Sequence, residues 1–144
     1  MKAEKNRVTV FEQVSFQEAG TPRVVQSETR VSRELISDHD PMQRWVKVEK
    51  GWKPLDLGWL TYDGVDTLCI LHKKREWPLK PSTGELREAE SMVVEIGFCD
   101  SEGDLPKVDM LLRYGDSQRL CPNRPIQVRS PLGPVRVYVT AFPR

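Results

Sequence analysis

Cysteine and histidine are scarce in this chain, and neither is spaced for chemistry. Cys69, Cys99 and Cys121 are odd in number, far apart and without a Cys-x-x-Cys pair, so no disulfide framework or redox motif is expected. Cys69 and Cys99 sit in apolar strand contexts and are read as buried thiols acting as small hydrophobes. The two histidines, His39 and His72, lack ligand spacing, which argues against zinc. There is no Gly-x-Ser-x-Gly elbow, no Gly-rich phosphate loop and no recognisable cysteine-nucleophile signature, and these are the arrangements that acyl transfer and nucleotide chemistry require. The expectation is a chain that is not an enzyme, with no catalytic residues, no cofactor and no metal. No apolar run approaches the ~20 residues of a membrane helix. No apolar stretch follows the charged start at residues 1–7, so a signal peptide and a membrane partner are not expected.

Charge of one sign is also lacking overall. Twenty-two Lys and Arg stand against 21 Asp and Glu, a net +1, which argues against a specific nucleic-acid partner. The distribution is uneven. Residues 1–104 hold 15 basic and 19 acidic side chains, net −4, whereas residues 105–144 hold seven basic and two acidic, net +5. Six of those seven are Arg113, Arg119, Arg124, Arg129, Arg136 and Arg144. Two readings stay open: outward residues alternating with core residues on strands, or a contact surface for an acidic partner or a sister subunit.

What is present is β-rhythm. Residues 91–97, 108–114, 124–130 and 135–142 read as four short strands cut by turn signals at residues 100–104, 115–117 and 131–134. Short strands at regular spacing mark a sandwich or small barrel. Upstream, residues 8–16 place Val8, Val10, Val14 and Phe16 on one face, with Phe11 breaking the alternation. Residues 19–22 form a turn. Residues 23–36 suit one or two edge-like strands, residues 31–35 fitting a helical turn as well. Residues 43–49 alternate, and residues 67–72 are a nearly continuous apolar strand of the kind covered on both faces. At 144 residues the chain suffices for one domain with a real core. The fold class expected is all-β: a single-domain antiparallel β-sandwich, jelly-roll-like, over residues 1–144, with residues 52–144 as core and residues 1–50 as an extended N-terminal arm or extra strands.

Candidate constellations are few. Asp38-His39-Asp40 sets an imidazole between carboxylates, but adjacent loop residues do not converge, and a solvated loop is the simpler reading. Residues 100–104 resemble the start of a calcium loop, yet the sixth and twelfth positions are Leu105 and Leu111 where Gly and Glu are needed. Lys73-Lys74-Arg75 beside Trp77 pairs charge with an aromatic, and a strand end emerging into water accounts for it equally. Residues 77–90 form the longest irregular stretch. Trp45, Trp52 and Trp59 sit seven apart, but Gly51, Pro54 and Gly58 oppose a helix, at about 1 kcal/mol per Gly and ~3 for Pro. With Trp77 these rings serve as core or interface filling, or as an aromatic platform for sugar. The interface candidates are therefore Trp45, Trp52, Trp59, Trp77, Arg113, Arg119, Arg124, Arg129 and Arg136.

From Trp52 onward the order of blocks resembles small β-sandwich structural proteins of tailed-phage virions. The pieces are Leu57-Gly58-Trp59-Leu60, Leu68-Cys69-Ile70-Leu71, Val94-Glu95-Ile96-Gly97, Leu111-Leu112-Arg113-Tyr114-Gly115-Asp116, Ile126-Gln127-Val128-Arg129 and residues 135–142. His72 stands where such proteins often carry an Asn. The resemblance implies a structural protein without catalytic residues: a capsid decoration or cement protein, or a neck or tail component. It implies the major capsid protein or another virion protein as partner, a homo-oligomer (a trimer in the first instance), and location in the virion after assembly in the host cytoplasm. Absence of disulfides and a supply of Trp and Arg for interfaces suit that role. A carbohydrate- or surface-binding module using exposed Trp residues is the alternative from another class.

Overall fold

The computed structural model describes residues 4–72, 92–99 and 106–144. The chain divides into two compact units, Met1–Asp38 and His39–Arg144. The described residues contain ten strands and one short 3₁₀ turn, with no α-helix, and all strand pairings are antiparallel.

The first unit is a two-stranded ribbon. Strands β1 (Arg7–Gln17) and β2 (Val24–Glu34) pair without a slip from Arg7 opposite Glu34 to Gln17 opposite Val24. Phe11, the residue that interrupts the apolar alternation, stays within the strand on the opposite face, across from Arg30. β2 runs as one strand through Glu34 with no helical turn: pairing with β1 decides a segment whose own pattern allows both. The connecting loop closes with Glu18 N–H donating to the Arg23 carbonyl at 3.1 Å and Gln17 Nε2 to the Thr21 carbonyl at 2.9 Å. Gly20 takes φ +75° there, a conformation that favours glycine.

The second unit is a β-sandwich. Its strands are β3 (Met42–Val48), β4 (Lys53–Pro54), β5 (Val65–Leu71), β6 (Val94–Phe98), β7 (Met110–Leu112), β8 (Ser117–Leu120), β9 (Ile126–Arg129) and β10 (Val135–Pro143). They form two four-stranded sheets ordered β3-β10-β5-β8 and β4-β9-β6-β7. The numbering shows how the chain folds. β3 pairs with β10, β4 with β9, β5 with β8 and β6 with β7, so the unit is one long hairpin, bent at β6–β7 and rolled up. The roll then adds β5 to β10 and β6 to β9. This is the jelly-roll arrangement.

One apolar cluster fills the space between the sheets. The first sheet supplies Met42, Val46, Val48, Leu68, Ile70, Leu120, Val137, Val139 and Ala141; the second supplies Val94, Ile96, Leu112, Ile126 and Val128, with Leu55 and Leu57 beside β4. Period-two alternation produces this directly, since every second residue of each strand faces the opposing sheet. β5 is an interior strand, yet its outer residues Cys69 and Leu71 are half-buried rather than covered. Cys99 is buried as expected, while Cys69 is half-exposed and Cys121 exposed.

Two strands escape a reading of the sequence. β8 is four residues, mostly polar, with Leu120 alone in the core. β4 is two residues including Pro54, a residue that sheets tolerate at edges.

Candidate functional site

Among the described residues no group of three or more His, Cys, Asp or Glu is placed to hold a metal ion. His72 illustrates the prevailing use of polar groups. It is buried at the end of β5, and its Nε2 lies 2.8 Å from the Met92 carbonyl, so that nitrogen carries the proton and donates. Its backbone binds the β7–β8 turn, donating to Asp116 at 2.9 Å and accepting from Gly115 at 2.6 Å, and its ring meets Tyr114 edge-on at 5.7 Å. The residue holds chain segments together. Asp38 and His39 fall at the boundary between the units, and the His39 ring meets Trp59 edge-on at 5.2 Å.

The interface candidates are distributed over both faces of the sandwich. On the outer face of the β3-β10-β5-β8 sheet, the cross-strand register forms three rows: Lys47 with Arg136; Trp45 with Tyr138, Leu71 and Ser117; and Gln43 with Thr140, Cys69 and Arg119. Trp45 and Tyr138 are half-buried with ring centroids 5.3 Å apart, while Arg119 and Arg136 are exposed. This face therefore combines an aromatic pair with three cationic side chains, of which Lys47 also reaches Glu49 at 3.6 Å. Burial raises the Cys69 thiol above its ordinary pKa, with the Arg119 guanidinium opposing the shift.

The outer face of the other sheet holds a different cluster. Arg129 Nε donates to Glu95 Oε2 at 2.6 Å, and its guanidinium lies 4.5 Å over the Trp52 ring. Arg124, just before β9, sits 5.6 Å over Phe98, which lies opposite Ile126 and packs against the core rather than on the outer face, and Arg113 is exposed just beyond β7. Arg119 and Arg136 thus share one surface, Arg129 stands on the outer face of the second sheet, and Arg113 and Arg124 lie just outside its strands. The seven-residue tryptophan spacing has no structural counterpart: Trp45 lies on the first sheet, Trp52 under Arg129 on the second, and Trp59 is exposed on the turn before β5. Trp77, Lys73-Lys74-Arg75, the irregular residues 77–90, the start of the expected strand 91–97 at Ser91 and the residue 100–104 turn lie outside the described residues.

A groove of about 340 Å³ runs beside β4, lined by Pro54, Leu55, Leu57, Tyr62 and Ile126 among others. It is mostly apolar, with Thr61, Tyr62 and Gln127 as its polar lining and no charged side chain.

The feature that sequence reasoning undervalued is the ribbon. Antiparallel partners share a face, so one face of β1–β2 runs Val8–Arg33, Val10–Val31, Glu12–Thr29, Val14–Ser27 and Phe16–Val25. Val8 is buried and Val10 half-buried, but Val14 is 69% exposed, Phe16 57%, Val25 48% and Val31 55%. The other face is mostly polar, with Phe11 and Val24 as exposed apolar side chains on it: Arg7 bonds Glu34 at 3.0 Å and Ser32 at 3.2 Å, and Thr9 meets Ser32 at 3.1 Å. The alternation of Val8, Val10, Val14 and Phe16 signals an apolar face; what it omits is that this face stays open. Compared with protein-family models, curated proteins and solved structures, the chain matches none.

Proposed function

We propose that this chain is a non-enzymatic structural protein of a phage particle, seated on the capsid as a decoration or cement subunit. The observation that carries the reading is the pairing of a jelly roll, complete in its own core, with a separate ribbon whose apolar face is exposed. A two-stranded ribbon is marginal in water by itself, and exposed large apolar side chains gathered on one face, here Val14, Phe16, Val25 and Val31, mark an interaction surface. Assembly would give that face a partner. The jelly roll supports the reading by analogy only, being common to viral capsid and lectin domains. The block order from Trp52 onward points the same way.

In this role the outer face of the β3-β10-β5-β8 sheet meets an acidic patch of the coat protein. Tyr138 and Trp45 supply contact area, and Arg119, Arg136 and Lys47 supply charge. Aromatic and Arg side chains are the ones that interfaces favour. A platform for sugar needs coplanar exposed rings, whereas the described tryptophans stand at three separate places, Trp59 alone being well exposed.

Cosedimentation with the cognate capsid tests the proposal. The protein is expected to bind assembled capsids and not free coat subunits, with Arg119→Glu and Arg136→Glu weakening binding together. Binding to neither sinks the proposal. Labelling confined to one vertex of the particle replaces the decoration reading with a neck or tail component.

A further inference from the structure

The ribbon's open face fits one occupant particularly well, a second copy of itself. Three observations lead there. The first is charge: residues 7–34 hold Arg7, Arg23, Arg30 and Arg33 against Glu12, Glu18, Glu28 and Glu34. A strongly acidic or basic partner finds no complement on a neutral ribbon, whereas a like ribbon meets no net repulsion.

The second is the order of the rows. A closed pair of identical chains uses a two-fold axis, so the surface must complement itself. With the axis along the ribbon, β1 of one copy lies over β2 of the other. Each residue then faces a copy of its own cross-strand partner. Phe16 meets Val25, Val10 meets Val31, Val14 meets Ser27 and Glu12 meets Thr29. Apolar rows stack on apolar rows, and no like charges oppose. With the axis across the ribbon, β1 lies over β1 and the rows run in reverse about the middle, which sets Glu12 against Glu12. The first arrangement wins on charge alone, since like charges face to face are destabilising.

The third is area. Beyond the buried Val8 row the open part spans residues 10–17 paired with 24–31, which at ~3.4 Å per residue and ~4.8 Å between strands makes a face of about 27 by 10 Å. Two such faces bury roughly 500 Å², well short of the ~1,200–2,000 Å² of a stable complex. We infer that the ribbon is a self-association arm, pairing face to face along a two-fold axis parallel to its strands. The pairing is weak between free chains and firm where neighbouring copies are already held side by side. That last step rests on the decoration reading, because it takes a surface to raise the effective concentration.

Sedimentation equilibrium of the full chain over about two decades of concentration tests it. The weight-average mass of the wild type is expected to rise from 16.6 kDa toward twice that value. Phe16→Glu, on the apolar face, is expected to weaken pairing at least about tenfold. Ser15→Glu places the same charge on the polar face and leaves pairing unchanged, and near-UV circular dichroism verifies that the sandwich is folded in both variants. A wild type that stays monomeric, a trimer indifferent to Phe16→Glu, or equal losses from Ser15→Glu and Phe16→Glu overturns the inference. Capsid binding is read separately. A wild type that stays monomeric yet binds capsids overturns the inference alone, and a wild type that pairs yet binds no capsid overturns the decoration reading alone.

Discussion

Arg129 donates through Nε to the Glu95 carboxylate at 2.6 Å, directly across the β6–β9 pairing. The same guanidinium covers the Trp52 ring at 4.5 Å, so one side chain ties β6, β9 and the segment before β4. Both partners are mostly shielded, Glu95 more than Arg129, which places the pair above the near-zero value of exposed ion pairs. Arg129→Ala is expected to cost about 1–3 kcal/mol, measured by urea denaturation. Arg129→Lys keeps the charge but loses the planar group that both carboxylate and ring engage, and should recover less than half of that. Full stability in Arg129→Lys would mean that charge alone matters here.

Gly97 gives a sharper case. A Cβ placed there would lie 2.5 Å from Pro106 Cβ and 2.7 Å from the Lys107 carbonyl oxygen. A proline ring and a main-chain carbonyl press on this point, so neither neighbour can move as a flexible side chain would. Gly97→Ala is expected to destabilise by about 1–3 kcal/mol through overpacking, despite alanine's easy fit elsewhere on strands. Gly51, where the same atom would meet nothing within 4 Å, is the control: Gly51→Ala should shift the midpoint little. Equal effects at the two positions would refute the account.

The cysteines are predicted to separate by reactivity. Thiolate, not thiol, attacks an alkylating reagent. Cys69 has its pKa raised by burial, so at a given pH it holds less thiolate than a free thiol, and its labelling onset moves to higher pH. With iodoacetamide at neutral pH, exposed Cys121 should react first, Cys69 later and buried Cys99 only on unfolding. Raising the pH should narrow the gap between Cys121 and Cys69. Mass-spectrometric timing in which Cys69 leads at neutral pH would contradict the burial.

The degree to which this molecule is legible in its sequence varies by element. β3, β5, β9 and β10 announce themselves because alternate residues such as Val137, Val139 and Ala141 enter the core. β8 does not, since Ser117, Gln118 and Arg119 face outward or lie at the edge; its strand state comes from pairing with Leu68–Leu71 partners on β5. The order of strands is also illegible, because β3 and β10 meet from opposite ends of the sandwich sequence, and local pattern carries no information about such long-range pairs. The candidate surfaces divide similarly. Alternation along β10 exposes Arg136, but Arg119 joins it only through the pairing of β8 with β5, and the tryptophan spacing carries no structural information, since position along the chain says nothing about which sheet receives Trp45 or Trp52.

Removing residues 1–38 tests the independence of the two units. Every residue of the apolar cluster lies between Met42 and Ala141, so the jelly roll keeps its whole packed interior without the ribbon. The chain 39–144 is therefore expected to give native near-UV circular dichroism and a melting temperature within about 5 °C of the full protein. The urea m-value offers a second readout, because it scales with the surface newly exposed on unfolding. Most ribbon residues are exposed already, so their loss should reduce m by much less than their share of the chain length. A truncated protein that fails to fold, or an m-value falling in proportion to length, would show that the ribbon is part of one cooperative core rather than an arm carried by it.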